Sequence, residues 1–178
     1  WLICARGGVM RRIGQLLAAG ASMVAAVAWY IAAVELWPAD KRPYIGGSKN
    51  NSIIELTLGY NGLGRLNGNE TGSVVPGGGQ GQGGAWGETG IFRMFESAQG
   101  GQIAWLLPLA LVLFVVGLWV SRTAARTSTI RASYIAWGGW LVATALTFSF
   151  MQGIFRQYYT VALAPAIAAL VGAGLIDA

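Results

Sequence analysis

The sequence predicts an all-α membrane protein: a bundle of about four transmembrane helices with one long Gly-rich external loop. Three observations predict it. Of 178 residues, 54% are hydrophobic and only 11% charged, less than half the roughly 25% of a soluble domain. Four uncharged runs lie between successive charges: Arg12 to Glu35, Glu96 to Arg122, Arg131 to Arg156 and Arg156 to Asp177. Each is long enough for the about 20 helical residues that cross a hydrocarbon core. None carries the charged face of a soluble helix, and four such helices packed as a core would leave no soluble exterior.

Composition also excludes functions. The absence of His and the single Cys4 rule out a His-based triad, a His-metal site and a disulfide framework within this chain. The net charge of +5 is spread along the chain rather than gathered into a nucleic-acid patch. No metal and no cofactor are expected.

The spans are placed at about 13–36, 103–120, 132–154 and 158–176, with the external loop at 37–102. Trp1-Leu-Ile-Cys-Ala before Arg6 reads as the tail of an earlier span, and the start at Trp1 as that of a fragment. The run after Arg12 is too long for a signal peptide and lacks a small-residue cleavage site. Arg6, Arg11 and Arg12 precede the first span, and Arg122, Arg126 and Arg131 fill the short loop 121–131, both without acids. The positive-inside rule assigns both segments to the cytoplasm and the 37–102 loop to the outside of the plasma membrane. Trp29, Tyr30, Trp37, Trp105, Trp119, Tyr158 and Tyr159 fall near the expected span ends, as interfacial aromatics do. Trp137 and Trp140 fall deeper and read as packing residues.

The external loop has three parts. In the first, Pro43 and Gly46-Gly47 mark a turn. Asn51 or Ser52 is placed to cap a short helix through Ile53, Ile54, Leu56 and Leu58, broken at Tyr60-Asn61-Gly62. Its polar residues suit a polar ligand at the membrane surface. They suit equally a capped connector with no ligand, which uses the same residue types. The second part, Gly77 to Gly87, is low-complexity Gly-rich chain. The third, Gly90 to Ser97, places Ile91, Phe92, Met94 and Phe95 in a short interfacial helix.

Arg156 breaks the charge pattern, because it falls in a very short external loop. Flanked by Phe155, Tyr158 and Tyr159, it fits two readings: a fork of donors for a lipid phosphate, or a snorkelling anchor. Pro165 is expected to kink or break the fourth span and free a carbonyl, whereas Pro108 sits early in the second span, where it costs less.

Two segments carry a family resemblance. RPYIGGSKNNSIIELTLGYNGLGRLNG (Arg42 to Gly68) and FSFMQGIFRQYYTVALAPAIAALVG (Phe148 to Gly172), with GGQIAWLLPLAL between them, resemble membrane glycosyltransferases of family 39. These actinobacterial-type mannosyltransferase-like proteins are related to aminoarabinose transferases and protein O-mannosyltransferases. The resemblance runs from about Arg11 to Ile176. It implies the later, C-terminal part of a GT-C transmembrane module. The full enzyme would transfer a hexosyl or pentosyl group from a polyprenyl-phosphate carrier to an acceptor, of unknown identity, on the outer face.

The resemblance places the family's catalytic carboxylate in an earlier external loop, so no general base is assigned here and the fragment alone is expected to be inactive. Arg156, Tyr158 and Tyr159 are expected to bind the carrier phosphate. Tyr44, Asn50, Asn51, Glu55, Tyr60 and Asn61 are expected on the sugar or acceptor side, with the Gly-rich stretch as a cover. Relatives usually have His-Pro before the Tyr-Tyr pair, where this chain has Arg156-Gln157. That change keeps a cation, now permanently charged, and removes a rigid turn. The partners are membrane lipid, the lipid-linked sugar donor and the acceptor, without nucleic acid. The alternatives are a transporter or facilitator subunit, whose usual buried ionisable relay is missing from these spans, and a non-catalytic structural membrane protein.

Overall fold

The computed structural model describes residues 1–69, 87–97 and 99–177. Among them all regular structure is helical, with no strand. Three helical segments are long and apolar enough to cross a membrane: Val9–Leu36, Ala104–Thr123 and Gln157–Ile176. They correspond to the first, second and fourth expected spans. The third expected span also forms a long helix, Thr129–Phe150. Its apolar character is diluted by Ser133, Tyr134, Gly138, Gly139, Thr144, Thr147 and Ser149.

The chain divides into two compact units, taken separately here. The first comprises the described residues of Trp1–Arg12, Gly87–Phe150 and Arg156–Ala178. Its frame is α3 (Leu107–Val120), α4 (Thr129–Phe150) and α5 (Ala164–Asp177). Lipid tails are as apolar as leucine, so membrane helices associate by close packing over small residues. The contacts between α3 and α4 are reciprocal. A Cβ on Gly117 of α3 would lie 2.2 Å from the Tyr134 ring of α4, and one on Gly138 of α4 would lie 2.1 Å from the Phe114 ring of α3. On α5, a Cβ at Gly174 would lie 2.8 Å from Leu113. Tyr134, Leu141, Ala166, Ile167 and Leu170 are buried in this unit.

Pro108 lies in the first turn of α3, where a missing N–H costs little. Pro165 does not kink the middle of a helix. The segment expected as the fourth span begins as a 3-10 helix, Gln157–Leu163, and the proline sits in the first turn of α5 that follows. The Val161 carbonyl accepts the Ala164 N–H. The next carbonyl, Ala162, would take its i+3 bond from residue 165, which as proline has no N–H. The indole Nε1 of Trp140 donates to it at 3.0 Å. The carbonyl that Pro165 frees is thus satisfied from α4, and Trp140, expected as a buried packing residue, is exposed and acts as a hydrogen-bond donor.

The carbonyl end of α4 is closed from the 87–97 segment. The Gly90 N–H donates to Ser149 O at 2.9 Å, and Arg93 Nη1 donates to Phe148 O at 3.0 Å. Arg93 is only 2% exposed. Burial lowers its guanidinium pKa, opposed by the nearby Glu96 carboxylate. The expected interfacial helix here is a single 3-10 turn, Arg93–Phe95, with the Arg93 side chain turned into the end of α4. Ile91, Phe92 and Phe95 are exposed, whereas Met94 is buried.

At the other end of α4 the two arginine-rich segments meet. Arg126 Nη1 donates to Ile3 O at 2.6 Å and Ala5 O at 2.9 Å, and the buried Arg12 donates to Leu2 O.

The second unit comprises the described residues of Ile13–Trp86 with Met151–Phe155. Most of α1 (Val9–Leu36) runs through it with its apolar side chains largely exposed. The first part of the loop folds against the end of α1. Ile53 begins a helical stretch that continues as a π-helix, Glu55–Leu63, and then α2 (Gly64–Asn67). The expected break falls at Gly62, whose φ/ψ of −103°/−111° is non-helical. α4 stops at Phe150, four residues before the expected end of the third span. Residues 151–155 pair instead with the loop: the Gln152 and Gly153 N–H groups donate to Leu66 O at 3.1 Å and Arg65 O at 3.0 Å.

Candidate functional site

The polar residues of the first loop segment fall into a connected network built on Glu35, the last acid of α1. Its carboxylate accepts from Ser52 Oγ at 2.5 Å, from the Ile54 N–H at 3.0 Å and from Arg42 Nη1 at 2.9 Å. Arg42 is a cap as well as an ion-pair partner. Its Nε donates to Trp37 O at 2.7 Å, its Nη2 to Glu35 O and its Nη1 also to Asn51 O at 2.9 Å. The Glu35 and Trp37 carbonyls lie at the C-terminal end of α1, where a cation also meets the negative end of the helix dipole. The Arg42 side chain is 9% exposed and that of Glu35 22%, so the pair is shielded well beyond an ordinary surface ion pair.

Asn51 and Glu55 are committed inside this network. Asn51 has a left-handed φ of 53°, a conformation that asparagine tolerates better than most residues. Its Oδ1 accepts from the Ile45 N–H at 2.6 Å and its Nδ2 donates to Ala39 O at 3.3 Å. Glu55 Oε2 accepts from Ser48 Oγ at 2.6 Å and from the Asn50 N–H at 3.0 Å. Ser52, not Asn51, is the helix cap, its Oγ accepting from the Glu55 N–H at 3.2 Å. The Ser48 hydroxyl and then the Asn50 N–H hold the Glu55 carboxyl below the ordinary carboxylate pKa, with Lys49 assisting against partial burial. A carboxylate so held stays ionised and is a poor general base near neutral pH.

Of the other loop candidates, Tyr44 is 81% exposed, and Asn50 and Asn61 are also exposed. Tyr60 packs on Gly47, where a Cβ would lie 3.1 Å from its ring. The Arg65 guanidinium lies 4.5 Å from the Tyr60 ring centroid and donates to Ile154 O at 3.4 Å. The structure therefore brings Asn50, Asn51 and Glu55 into one knot, sets Tyr60 beneath Arg65, and leaves the Tyr44 ring and the Asn61 side chain open.

Sequence reasoning missed Glu35, Arg42, Ser48 and Arg65 as site-building residues, and read Ser52 only as a candidate helix cap, the role it has. Glu35 was visible only as the charge that ends an apolar run. Its partner seven residues later follows from the turn of chain between them, which no helical or strand spacing marks. The Gly-rich cover expected at 77–87 lies outside the described residues, Gly87 excepted.

The second cluster belongs to the other unit. Arg156 precedes the 3-10 helix Gln157–Leu163 with an extended backbone, φ −93° and ψ 146°. Its carbonyl accepts the Tyr159 N–H at 2.9 Å. Tyr158 and Tyr159 meet edge to face, 4.8 Å between centroids and 88° between planes. Arg156 and Tyr158 are exposed and Tyr159 half-buried. A guanidinium and a neighbouring phenol are thus presented at the start of a span-length segment. This arrangement can receive an anionic oxygen group through charge-assisted hydrogen bonds. No group of His, Cys, Asp or Glu among the described residues is disposed to hold a metal ion.

Comparison with known proteins finds two relatives across almost the whole chain. The chain is 29% identical, over 259 aligned positions covering 99% of its length, to the Bacillus subtilis protein named "Putative mannosyltransferase YkcB". It is equally 29% identical, over 250 positions and 98% of its length, to "Putative mannosyltransferase YycA" of the same organism. The chain spans 36% of the length of each of these relatives. No family model matches the chain, and no solved structure matches it.

Proposed function

We propose that this chain is part of an integral membrane glycosyltransferase of the family 39, GT-C type. In the full-length protein it would take a hexosyl or pentosyl unit from a polyprenyl-phosphate carrier to an acceptor on the outer face of the plasma membrane. The relatives named as mannosyltransferases, together with three span-length apolar helices, support the membrane glycosyltransferase class. We take α4 as a fourth span, since 22 residues at about 1.5 Å each reach across a hydrocarbon core. Two arginine-rich segments at one end of α4 then lie on the cytoplasmic side, and the 37–102 loop and Arg156 on the outer side.

The observation that carries the site assignment is the exposed Arg156 beside Tyr158 and Tyr159 at the start of a span. Arg156 grips the carrier phosphate and offsets the charge that develops on it as the sugar departs, and the tyrosine hydroxyls add donors. The 37–69 loop supplies the sugar or acceptor side through Tyr44, Asn50 and Asn61, whose side chains are open. Asn51, Glu55 and Tyr60 shape that surface. Glu55 serves as an acceptor and as scaffold rather than as the base. The base comes from outside this chain.

The test is Arg156→Ala and Arg156→Lys in the full-length protein, assayed with a polyprenyl-phosphate sugar. Arg156→Ala is expected to raise the donor KM at least tenfold, the scale of one charge-assisted contact. Arg156→Lys recovers part of the loss. Donor KM and kcat both unchanged in Arg156→Ala remove the phosphate role.

A further inference from the structure

A cavity lies at the other end of α4 from Arg156. Set between α3, the 121–128 turn, α4 and α5, it has a volume of about 570 Å³, within the range of roughly 300–1,000 Å³ typical of ligand pockets. Its walls are apolar along the helices: Leu113, Val116 and Val120 on α3, and Ile130 on α4. Toward the turn they become polar, with Ser121 and Ser128. The Ser121 hydroxyl is already engaged with Gly117 O at 2.6 Å, so the polar end offers little hydrogen-bonding capacity of its own.

What that end has is charge. Arg122 follows Ser121 in the chain and Arg131 follows Ile130. Arg126, in the same turn, is tied to Ile3 O and Ala5 O, which brings the segment bearing Arg6, Arg11 and Arg12 to the same end. Against six arginines, the one acid in the segments meeting there is Asp177, at the end of α5. Arg122 is held in place, its guanidinium 4.2 Å from the Trp119 ring centroid with Nη1 on Trp119 O at 2.9 Å. That hydrogen bond uses one of its five N–H donors.

We infer that this cavity binds an anionic phospholipid, with an acyl chain along Leu113, Val116 and Val120 and the phosphate among Arg122 and Arg131. The occupant follows from charge complementarity and from the order of the lining. An apolar trough that becomes polar at a helix end, with arginines next to its lining residues in the chain, matches a lipid with a negative headgroup. A zwitterionic lipid fills the trough equally well but gains nothing from the arginines. Basic pockets between membrane helices hold anionic headgroups on this principle, and a Lys or Arg near an anionic membrane surface strengthens attraction to it by about fivefold. The site is separate from the one proposed for the sugar carrier and does not depend on that reading.

The experiment uses the full-length protein in detergent. It is titrated with phosphatidylglycerol or phosphatidylcholine of matched chains, and bound lipid is counted by native mass spectrometry. Wild type is expected to retain phosphatidylglycerol at least tenfold over phosphatidylcholine. The double variant Arg122→Gln/Arg131→Gln is expected to bring that ratio close to one while still binding both lipids. Val116→Trp, at a half-exposed position, fills the trough and is expected to remove most bound lipid of either kind with an unchanged melting temperature. Equal retention of the two lipids by wild type overturns the inference. So does a ratio unchanged in the arginine double variant, or lipid retention unchanged by Val116→Trp, as when another segment of the full protein already fills the trough. Should Val116→Trp fail to fold, the arginine variant alone decides.

Discussion

The α3–α5 bundle and the 37–69 loop are held together by opposite means. In the bundle, neighbouring helices touch where glycine admits a large ring: Gly117 takes Tyr134, and Gly138 takes Phe114. In the loop, the contacts that fix the chain are polar and mostly run from side chains to backbone, around Glu35, Arg42, Asn51 and Glu55. An apolar surround provides no hydrophobic drive between helices, so shape decides their packing. A loop of Gly, Asn and Ser has little to bury, so it is ordered by satisfying its own backbone groups. Damage should therefore spread differently. A steric change in the bundle acts on the whole unit, whereas a polar deletion in the loop acts locally.

The largest effect is expected at Gly138. Gly138→Ala places a methyl within the Phe114 ring volume and should destabilise the bundle by about 2–3 kcal/mol, read as thermal stability in detergent. Gly139→Ala is the control, since nothing lies within 4 Å of its Cβ position. Equal behaviour of the two would remove the reciprocal glycine packing as the basis of the bundle.

Glu35→Ala comes next and should stay local. It withdraws the acceptor shared by Ser52, the Ile54 N–H and Arg42. Amide exchange should quicken from about residue 42 to 54, with α3–α5 unchanged. Protection of Ile54 equal to wild type would show that the network does not order the loop.

Trp140→Phe is a smaller and more specific change. It retains the ring and withdraws the donor to Ala162 O, for an expected loss of about 1 kcal/mol. Replacing Pro165 by Ala as well should return most of it, because residue 165 then has an N–H. Without such recovery, the indole bond is not the substitute for the missing amide.

The smallest effect at neutral pH is expected for Glu55→Gln, and it concerns pH dependence. The folded-state pKa of Glu55 is lowered by Ser48, Asn50 and Lys49. Its stabilisation is therefore fully present above the ordinary carboxylate value of about 4.3 and is lost as pH falls through the lowered value. Wild-type amide protection near residues 48–56 should decline below about pH 4, and more shallowly in Glu55→Gln. Identical pH profiles would mean that the carboxylate contributes nothing to loop order.

Much of this was legible in the sequence. The spacing of charges marked out the helices, since a spanning helix is defined by what it lacks. The unlike character of Arg42–Gly68 within an apolar chain marked it as a separately folded polar segment. The roles of individual polar residues were not legible. Asn51 and Glu55 read as ligand groups because caps and ligands draw on the same side chains. Only the fold shows that Asn51 Oδ1 and Glu55 Oε2 already accept hydrogen bonds from within the loop, while Tyr44 and Asn61 remain open. Arg93 gave no sign at all: one base among several in the loop proves to be buried against the end of α4.

By itself, the sequence determined that the chain belongs in a membrane, roughly where its apolar helices lie, and that Arg156 is a lone cation between two apolar runs. Those properties follow from composition and one-dimensional spacing, because transfer into lipid acts on each segment in turn. Tertiary structure alone decided where α4 ends, which carbonyl answers for Pro165, which acid pairs with Arg42 and where a cavity opens beside the arginine-rich end. Each depends on groups distant in the chain, and hydrogen bonds and ring-on-glycine contacts form only when folding brings both partners within a few ångströms.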